Sequence, residues 1–128
     1  IDDIAGIRII CAFTTDIYRI ATVIESQKHI KVIKVKDYIT NPKPSGYRSY
    51  HMLIDIPVYL SAREENVTVE VQIRTIAMDF WASLEHKMQY KYKTLIPRQL
   101  SDELKDCANI VSFLDERMMN LNHEIEKE

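Results

Sequence analysis

The fold class that this sequence predicts is α+β: one domain with a mixed sheet flanked by helices and a long helix at its C-terminal end. Three observations predict it. Residues 4–13 are almost all apolar, which reads as a central strand buried on both faces. Shorter segments further on alternate between apolar and polar residues, which reads as more strands. From Leu100 onward, apolar residues recur at spacings of four and three without a slip, the signature of one long helix.

After the first strand, Thr14-Thr15-Asp16 offers N-cap candidates, and Ile17, Ile20, Ala21 and Ile24 recur at helical spacing, so 15–27 is expected to be a helix. In residues 30–36, Ile30, Val32, Ile33 and Val35 sit among lysines as a second strand. Pro42, Pro44 and Gly46 make 38–46 a constrained loop. Residues 47–60, rich in Tyr, Ile and Val, form a third strand; a polar turn from Ser61 to Asn66 and a short strand over 67–74 follow. Residues 75–92 place Ile76, Phe80, Trp81, Leu84 and Met88 on one side of a helix, with Phe80 and Trp81 read as core, and Pro97 breaks it. The last helix carries the heptad seam Leu100, Leu104, Cys107, Val111, Leu114, Met118, Leu121 and Ile125. That seam is expected either to dock on its own sheet or to pair with another subunit. The order is β-α-β-β-β-α-α, dividing into a core over 1–95 and a C-terminal helix over 96–128.

The 128 residues suit one domain, and 46% hydrophobic with 28% charged is an ordinary soluble balance. A formal net charge of −2 argues against a whole-surface nucleic-acid binder. No apolar run approaches the roughly 20 residues that span a bilayer, and no signal-peptide pattern opens the chain, so a cytoplasmic protein is expected. Cys11 and Cys107 lie in apolar surroundings without metal-ligand spacing and are read as buried free thiols. The chain begins with Ile1 inside a strand-like segment, which predicts that upstream sequence is missing. With only Gly6 and Gly46 there is neither a P-loop nor a dinucleotide fingerprint, so any nucleotide must be held by side chains.

Three groups of residues bear on chemistry. In Val67 to Arg74, Val69, Val71 and Ile73 share one strand face and suit a core, while Glu70, Gln72 and Arg74 share the other. The residues alone leave that second face open between a polar site and a solvated surface. Around the Pro-Gly loop, Lys36, Lys43, Arg48 and His51 crowd together with Tyr38, Tyr47 and Tyr50. Cations there could hold phosphates and a tyrosine could stack on a base, or the segment is an ordinary surface loop. If 47–56 is a strand, Tyr47, Ser49 and His51 share a face. Finally, a carboxylate of Asp2-Asp3 and Glu70 could hold Mg²⁺ between them, since that ion commonly takes one or two carboxylates plus substrate phosphates.

These features occur together, in this order, in a known family. Asp3-Ile4-Ala5-Gly6-Ile7-Arg8 resembles the first synthetase motif of RelA/SpoT alarmone synthetases. Lys36-Asp37-Tyr38-Ile39, Pro42-Lys43 and Gly46-Tyr47-Arg48-Ser49-Tyr50-His51 resemble its guanine-nucleotide loop. Glu70-Val71-Gln72-Ile73-Arg74-Thr75 resembles its most recognisable motif, and Phe80 to Lys87 looks like the helix that follows in the small members. The match spans about residues 2–93.

The resemblance implies a nucleotidyltransferase-like mixed sheet and transfer of pyrophosphate from ATP to the 3′ hydroxyl of GDP or GTP, giving the alarmones ppGpp and pppGpp of the stringent response. It implies Mg²⁺ bound by Asp3 and Glu70, with Glu70 also the base for the 3′ hydroxyl. It places Tyr47 on the guanine, Lys36, Lys43 and His51 around the acceptor and its phosphates, and Gln72 and Arg74 near the site. It implies a homotetramer. The family's ATP-binding arginines and lysines lie upstream of the Asp3 motif, so ATP binding is expected to fall outside this chain. Ser45 stands where many long members have asparagine, and no His-Asp dipeptide of the hydrolase half occurs. Two alternatives follow from relatives: pyrophosphorylation of the tRNA 3′ end, which needs an added basic surface, and a non-catalytic guanine-nucleotide sensor. His29 and His123 are read as surface residues, Met118 and Met119 as helix packing, and Glu85 and His86 are left between site and solvent.

Overall fold

The computed structural model describes residues 4–127. Its elements are β1 (Ala5–Cys11), α1 (Thr14–Glu25), β2 (Lys31–Asp37), β3 (Tyr50–Leu60), β4 (Arg63–Thr75), α2 (Ile76–Lys91) and α3 (Arg98–Glu126). The sheet order is β1-β4-β3-β2, with β1 parallel to β4 and the other pairs antiparallel. This is the mixed sheet with flanking helices and a long last helix that the sequence predicts.

The apolar face of the sheet is the core. Val69, Val71 and Ile73 of β4 pack with Met52 and Ile54 of β3 and with Ile17 and Ala21 of α1, all of them buried. Alternation puts those β4 residues on one face, and a spacing of four puts Ile17 and Ala21 on one side of α1. A second cluster joins Trp81 and Ala82 of α2 to Leu104 and Ala108 of α3, with Tyr47 against its edge. Thr75 links sheet to helix: it ends β4, and its hydroxyl caps α2 by accepting from the Met78 amide at 3.1 Å.

Several expectations need correction. β1 is an edge strand, with Ile4, Ile7 and Ile10 exposed. An apolar run shows what a strand can bury, not where it lies in the sheet, and here β4 and β3 take the centre. β3 begins at Tyr50, and β4 reaches back to Arg63, so Ser61 and Ala62 are the whole turn of a hairpin whose last pair is Leu60 with Arg63. The polar run Glu64 to Asn66 is strand because it pairs along β3, not because of its side chains. On α2, Trp81 is core as expected, but Phe80, Ile76 and Leu84 are exposed, and Met78 and Ala82 are buried in their place. On α3 the buried positions are Leu104, Ala108 and Asp115; Leu114, Met118, Leu121 and Ile125 of the expected seam face outward. The helix therefore docks by the stripe beside its most apolar one, which leaves Cys107 exposed. Cys11 is half-buried, its thiol donating to the Arg74 carbonyl at 3.2 Å. His29 and His123 are exposed, as expected.

Candidate active site

Sheet register builds the opposite face. Arg8 of β1 pairs with Gln72 of β4, Gln72 with His51 of β3, and His51 with Lys36 of β2. One row of four strands thus carries an arginine, an amide, an imidazole and a lysine side by side. In the adjoining row, Gly6 pairs with Glu70, Glu70 with Leu53, and Leu53 with Lys34. Among the described residues nothing lies within 4 Å of where a Cβ on Gly6, beside Glu70, would sit.

A continuous hydrogen-bonded chain runs across this face. The Arg74 guanidinium donates to Gln72 Oε1 at 2.7 Å, to the Tyr47 hydroxyl at 2.8 Å, to Asp79 Oδ1 at 3.1 Å and to Ser49 Oγ at 3.3 Å. Gln72 Nε2 then donates to Glu70 Oε1 at 2.8 Å. Arg74 is buried, and its partners compensate the lost hydration, including the Asp79 carboxylate that Arg8 also approaches at 3.5 Å. The Tyr47 hydroxyl lies 2.8 Å from His51 Nε2. The imidazole tautomer decides which of the two donates, since the hydroxyl can accept from Arg74 and still either donate to or accept from His51. Burial holds the imidazole below its ordinary 6.5; the Glu70 charge opposes this, while Arg74, Lys43 and Lys36 add to it.

The loop before β3 supplies the aromatic wall. Tyr38, Tyr47 and His51 meet edge to face, with ring centroids 5.2 to 6.0 Å apart. The Lys43 ammonium lies 4.9 Å from the Tyr38 ring centre and 5.1 Å from that of Tyr47. Asp37 fixes the start of this loop by accepting from the amides of Ile39 and Thr40 and from the hydroxyls of Tyr18 and Thr40. Burial works against its charge, but those hydrogen bonds hold Asp37 below the usual 3.8.

Three hollows meet along the polar face. One of about 540 Å³ lies between the sheet residues Arg8, Tyr47, His51, Gln72 and Arg74 and the α2 residues Glu85 and His86. A second of about 420 Å³ is cationic, bordered by Lys34, Lys36, Lys43, His51 and Glu70. A third of about 400 Å³ runs along β1 from Ile4 to Arg8 and is also bordered by Glu70 and Gln72. Glu70 thus stands between the lysines and β1.

The structure brings together Tyr47, Lys36, Lys43, His51, Glu70, Gln72 and Arg74. Asp3 lies outside the described residues. Lys34 and Asp79 carry no signal in the sequence, and Arg8 and Ser49 stand in its motifs without a role; the register of β1 and β2, the segment before β3 and the first turn of α2 deliver them here. Glu85 and His86, left open by the sequence, line the largest hollow. Among the described residues, no three His, Cys, Asp or Glu side chains converge as a metal cluster.

A family model, the region found in RelA / SpoT proteins, matches residues 1–95. The chain belongs to the RelA/SpoT family. Among its RelA/SpoT relatives, the GTP pyrophosphokinase YwaC of Bacillus subtilis is 54% identical over 98% of this chain. The small alarmone synthetase 2 of B. subtilis superposes with a TM-score of 0.91 at 54% identity, covering 93% of this chain and 65% of that one. The small alarmone synthetase 1 of B. subtilis, bound to its product pppGpp, gives a TM-score of 0.88 at 40% identity, covering 94% of this chain and 62% of that one. The chain spans 60% of the length of YwaC.

Proposed function

We propose that the protein transfers pyrophosphate from ATP to the 3′ hydroxyl of GDP or GTP, and that this chain supplies the acceptor side of the site. The observation that carries this reading is the chain Tyr47, Arg74, Gln72, Glu70, which joins an aromatic wall to a carboxylate across a row of cations. The GTP pyrophosphokinase activity for which YwaC is named and the pppGpp bound in the synthetase 1 structure support it.

In this reading guanine stacks on Tyr47 in the largest hollow, and the acceptor's phosphates lie over Lys34, Lys36 and Lys43. Glu70 takes the proton of the 3′ hydroxyl. Gln72 holds one of its oxygens at 2.8 Å, which leaves the other to face the substrate. Neutral His51 offers the phosphates a hydrogen bond without adding charge. Lysines and Arg8 offset the charge that spreads over the moving group, the dominant requirement of such transfers.

Mg²⁺ fits the donor set, since among the described residues Gln72 bonds one hard oxygen of Glu70 and none bonds the other. Glu70 would hold it together with Asp3, and when bound it would neutralise phosphate charge. The outward apolar stripe of α3 supports assembly as a homotetramer, and residues 96–128 would then serve as both cover and interface. Among the described residues no helix is long and apolar enough to cross a membrane, and we place the protein in the cytoplasm.

The test supplies the full-length protein with Mg²⁺ and ATP labelled on its terminal phosphate, with GDP, GTP and deacylated tRNA as separate acceptors. Label on GDP or GTP with release of AMP is expected. Label on tRNA alone, or on no acceptor, would overturn the reading.

A further inference from the structure

The segment Gly46 to Ser49 has two sides, and only one of them faces the site. Tyr47 points into the largest hollow, and Ser49 accepts from Arg74 beneath it. Gly46 and Arg48 point the other way, toward α3. Gly46 has φ +100°, and a Cβ there would sit 2.6 Å from the Ala108 Cβ and 3.5 Å from the Trp81 ring. The contact therefore demands glycine twice, for its backbone and for its lack of a side chain. Arg48 Nη1 donates to the Ala108 carbonyl at 2.7 Å. A carbonyl inside a helix has a second lone pair free, so the arginine can bond it without breaking the helix.

The same stretch of α3 holds α2 and the end of β4. The Trp81 indole N–H donates to the Leu104 carbonyl at 2.8 Å, and the Thr75 hydroxyl donates to Asp115 Oδ2 at 2.8 Å. Leu104, Ala108 and Asp115 are all buried. Two of these three bonds end on main-chain oxygens, so they read the height of the helix rather than its side chains. Trp81 also packs beside Gly46, with its ring 6.5 Å from that of Tyr47.

We propose that α3 is the positioning strut of the guanine subsite, with Arg48 and Trp81 as positioning residues that hold Tyr47 at its working height by hanging the 46–49 segment and α2 from the helix backbone. The inference rests on the reading of Tyr47 as the guanine platform. It differs from α3 serving merely as a cover: a cover would stabilise the whole domain evenly, whereas a strut acts on one ring. Neither residue lines the hollow assigned to guanine, so a strut of this kind predicts that their effect on binding passes through Tyr47.

That last condition gives the test. In the full-length protein, GDP affinity is measured by calorimetry for wild type, Arg48→Met, Tyr47→Ala and the double variant. Loss of one charge-assisted bond is expected to weaken GDP on the order of tenfold in Arg48→Met, with KM for ATP unchanged. The double variant is expected to bind no more weakly than Tyr47→Ala alone, because the strut then has nothing to position. Hydrogen exchange at residues 43–49 should quicken in Arg48→Met. If Arg48→Met does not fold, Trp81→Phe, which keeps an aromatic ring and removes only the indole donor, carries the same cycle. Multiplying losses in the double variant, or unchanged GDP affinity in a folded single variant, would overturn the proposal. Should wild type bind no guanine nucleotide, the functional reading falls instead. The exchange experiment then still decides whether α3 holds the segment, and unchanged exchange would overturn that too.

Discussion

The two faces of β4 carry alternate residues of one strand, yet opposite physics organises them. On one face Val69, Val71 and Ile73 are 5%, 2% and 0% exposed and gain their stability from area removed from water, which has no direction. On the other, Arg74 is nearly as buried at 6%, and everything there depends on direction. Its guanidinium reaches four side chains, and one of them, Gln72, passes the constraint to Glu70. Among the described residues no buried side-chain nitrogen or oxygen lacks a partner. A polar network anchored on a buried and fully satisfied guanidinium is rigid, and rigidity is what a reacting carboxylate needs. The apolar face keeps the strand in place; the polar face fixes where single atoms lie.

Substitutions on the two faces should therefore fail differently. Glu70→Gln is the largest expected effect: pyrophosphate transfer should fall by about 10²–10⁴-fold, the range for a lost general base, with the unfolding curve unchanged. Near-normal turnover would remove Glu70 as the base. Across the strand, Ile73→Ala should lower unfolding free energy by about 2–5 kcal/mol through the cavity it leaves, while GDP affinity of the folded protein stays near wild type. If Ile73→Ala instead weakened GDP with little loss of stability, the division of labour between the faces would be wrong. Tyr47→Ala should weaken GDP by about 1–3 kcal/mol, as for other aromatic platforms that stack on bases. Unchanged calorimetric affinity would end the stacking role.

The same strand shows how far the sequence could be read. Alternation assigned Val69, Val71 and Ile73 to the core and grouped Glu70, Gln72 and Arg74, because period two is local and survives any sheet order. Whether that polar group faced water was not legible, since it depends on Tyr47, Ser49 and Asp79, which arrive from other elements. The family motifs supplied what alternation could not, linking Tyr47 and His51 to Glu70 before any contact was known. Position within the sheet stayed hidden: β1 has the most apolar sequence and the edge place, because order is a global property and hydropathy a local one. On α3 the heptad pattern named the more apolar stripe, but docking selected Leu104, Ala108 and Asp115. Close approach to Gly46 needs a small residue at 108, and a small residue adds little to an apolar pattern.

Asp115 gives the smallest of these predictions and the sharpest on sign. It is a carboxylate buried beneath α3, where the Thr75 hydroxyl donates to it at 2.8 Å. Burial pushes its carboxyl above the usual 3.8, and the Thr75 hydrogen bond and the Arg48 charge only partly offset this. Between 3.8 and the raised folded value, the folded chain therefore holds more of this proton than the unfolded chain does. Stability from this group is fully present below 3.8 and is lost as pH rises through the folded value. An asparagine in its place would accept from Thr75 in the same geometry but could not ionise. Asp115→Asn should thus be at least as stable as wild type at neutral pH, with its advantage shrinking as pH falls toward 3.8 in paired urea unfolding curves. An advantage that grew on acidification would mean that the Arg48 charge, not burial, governs this carboxylate. Arg48 would then be anchored to α3 by charge as well as by the Ala108 carbonyl.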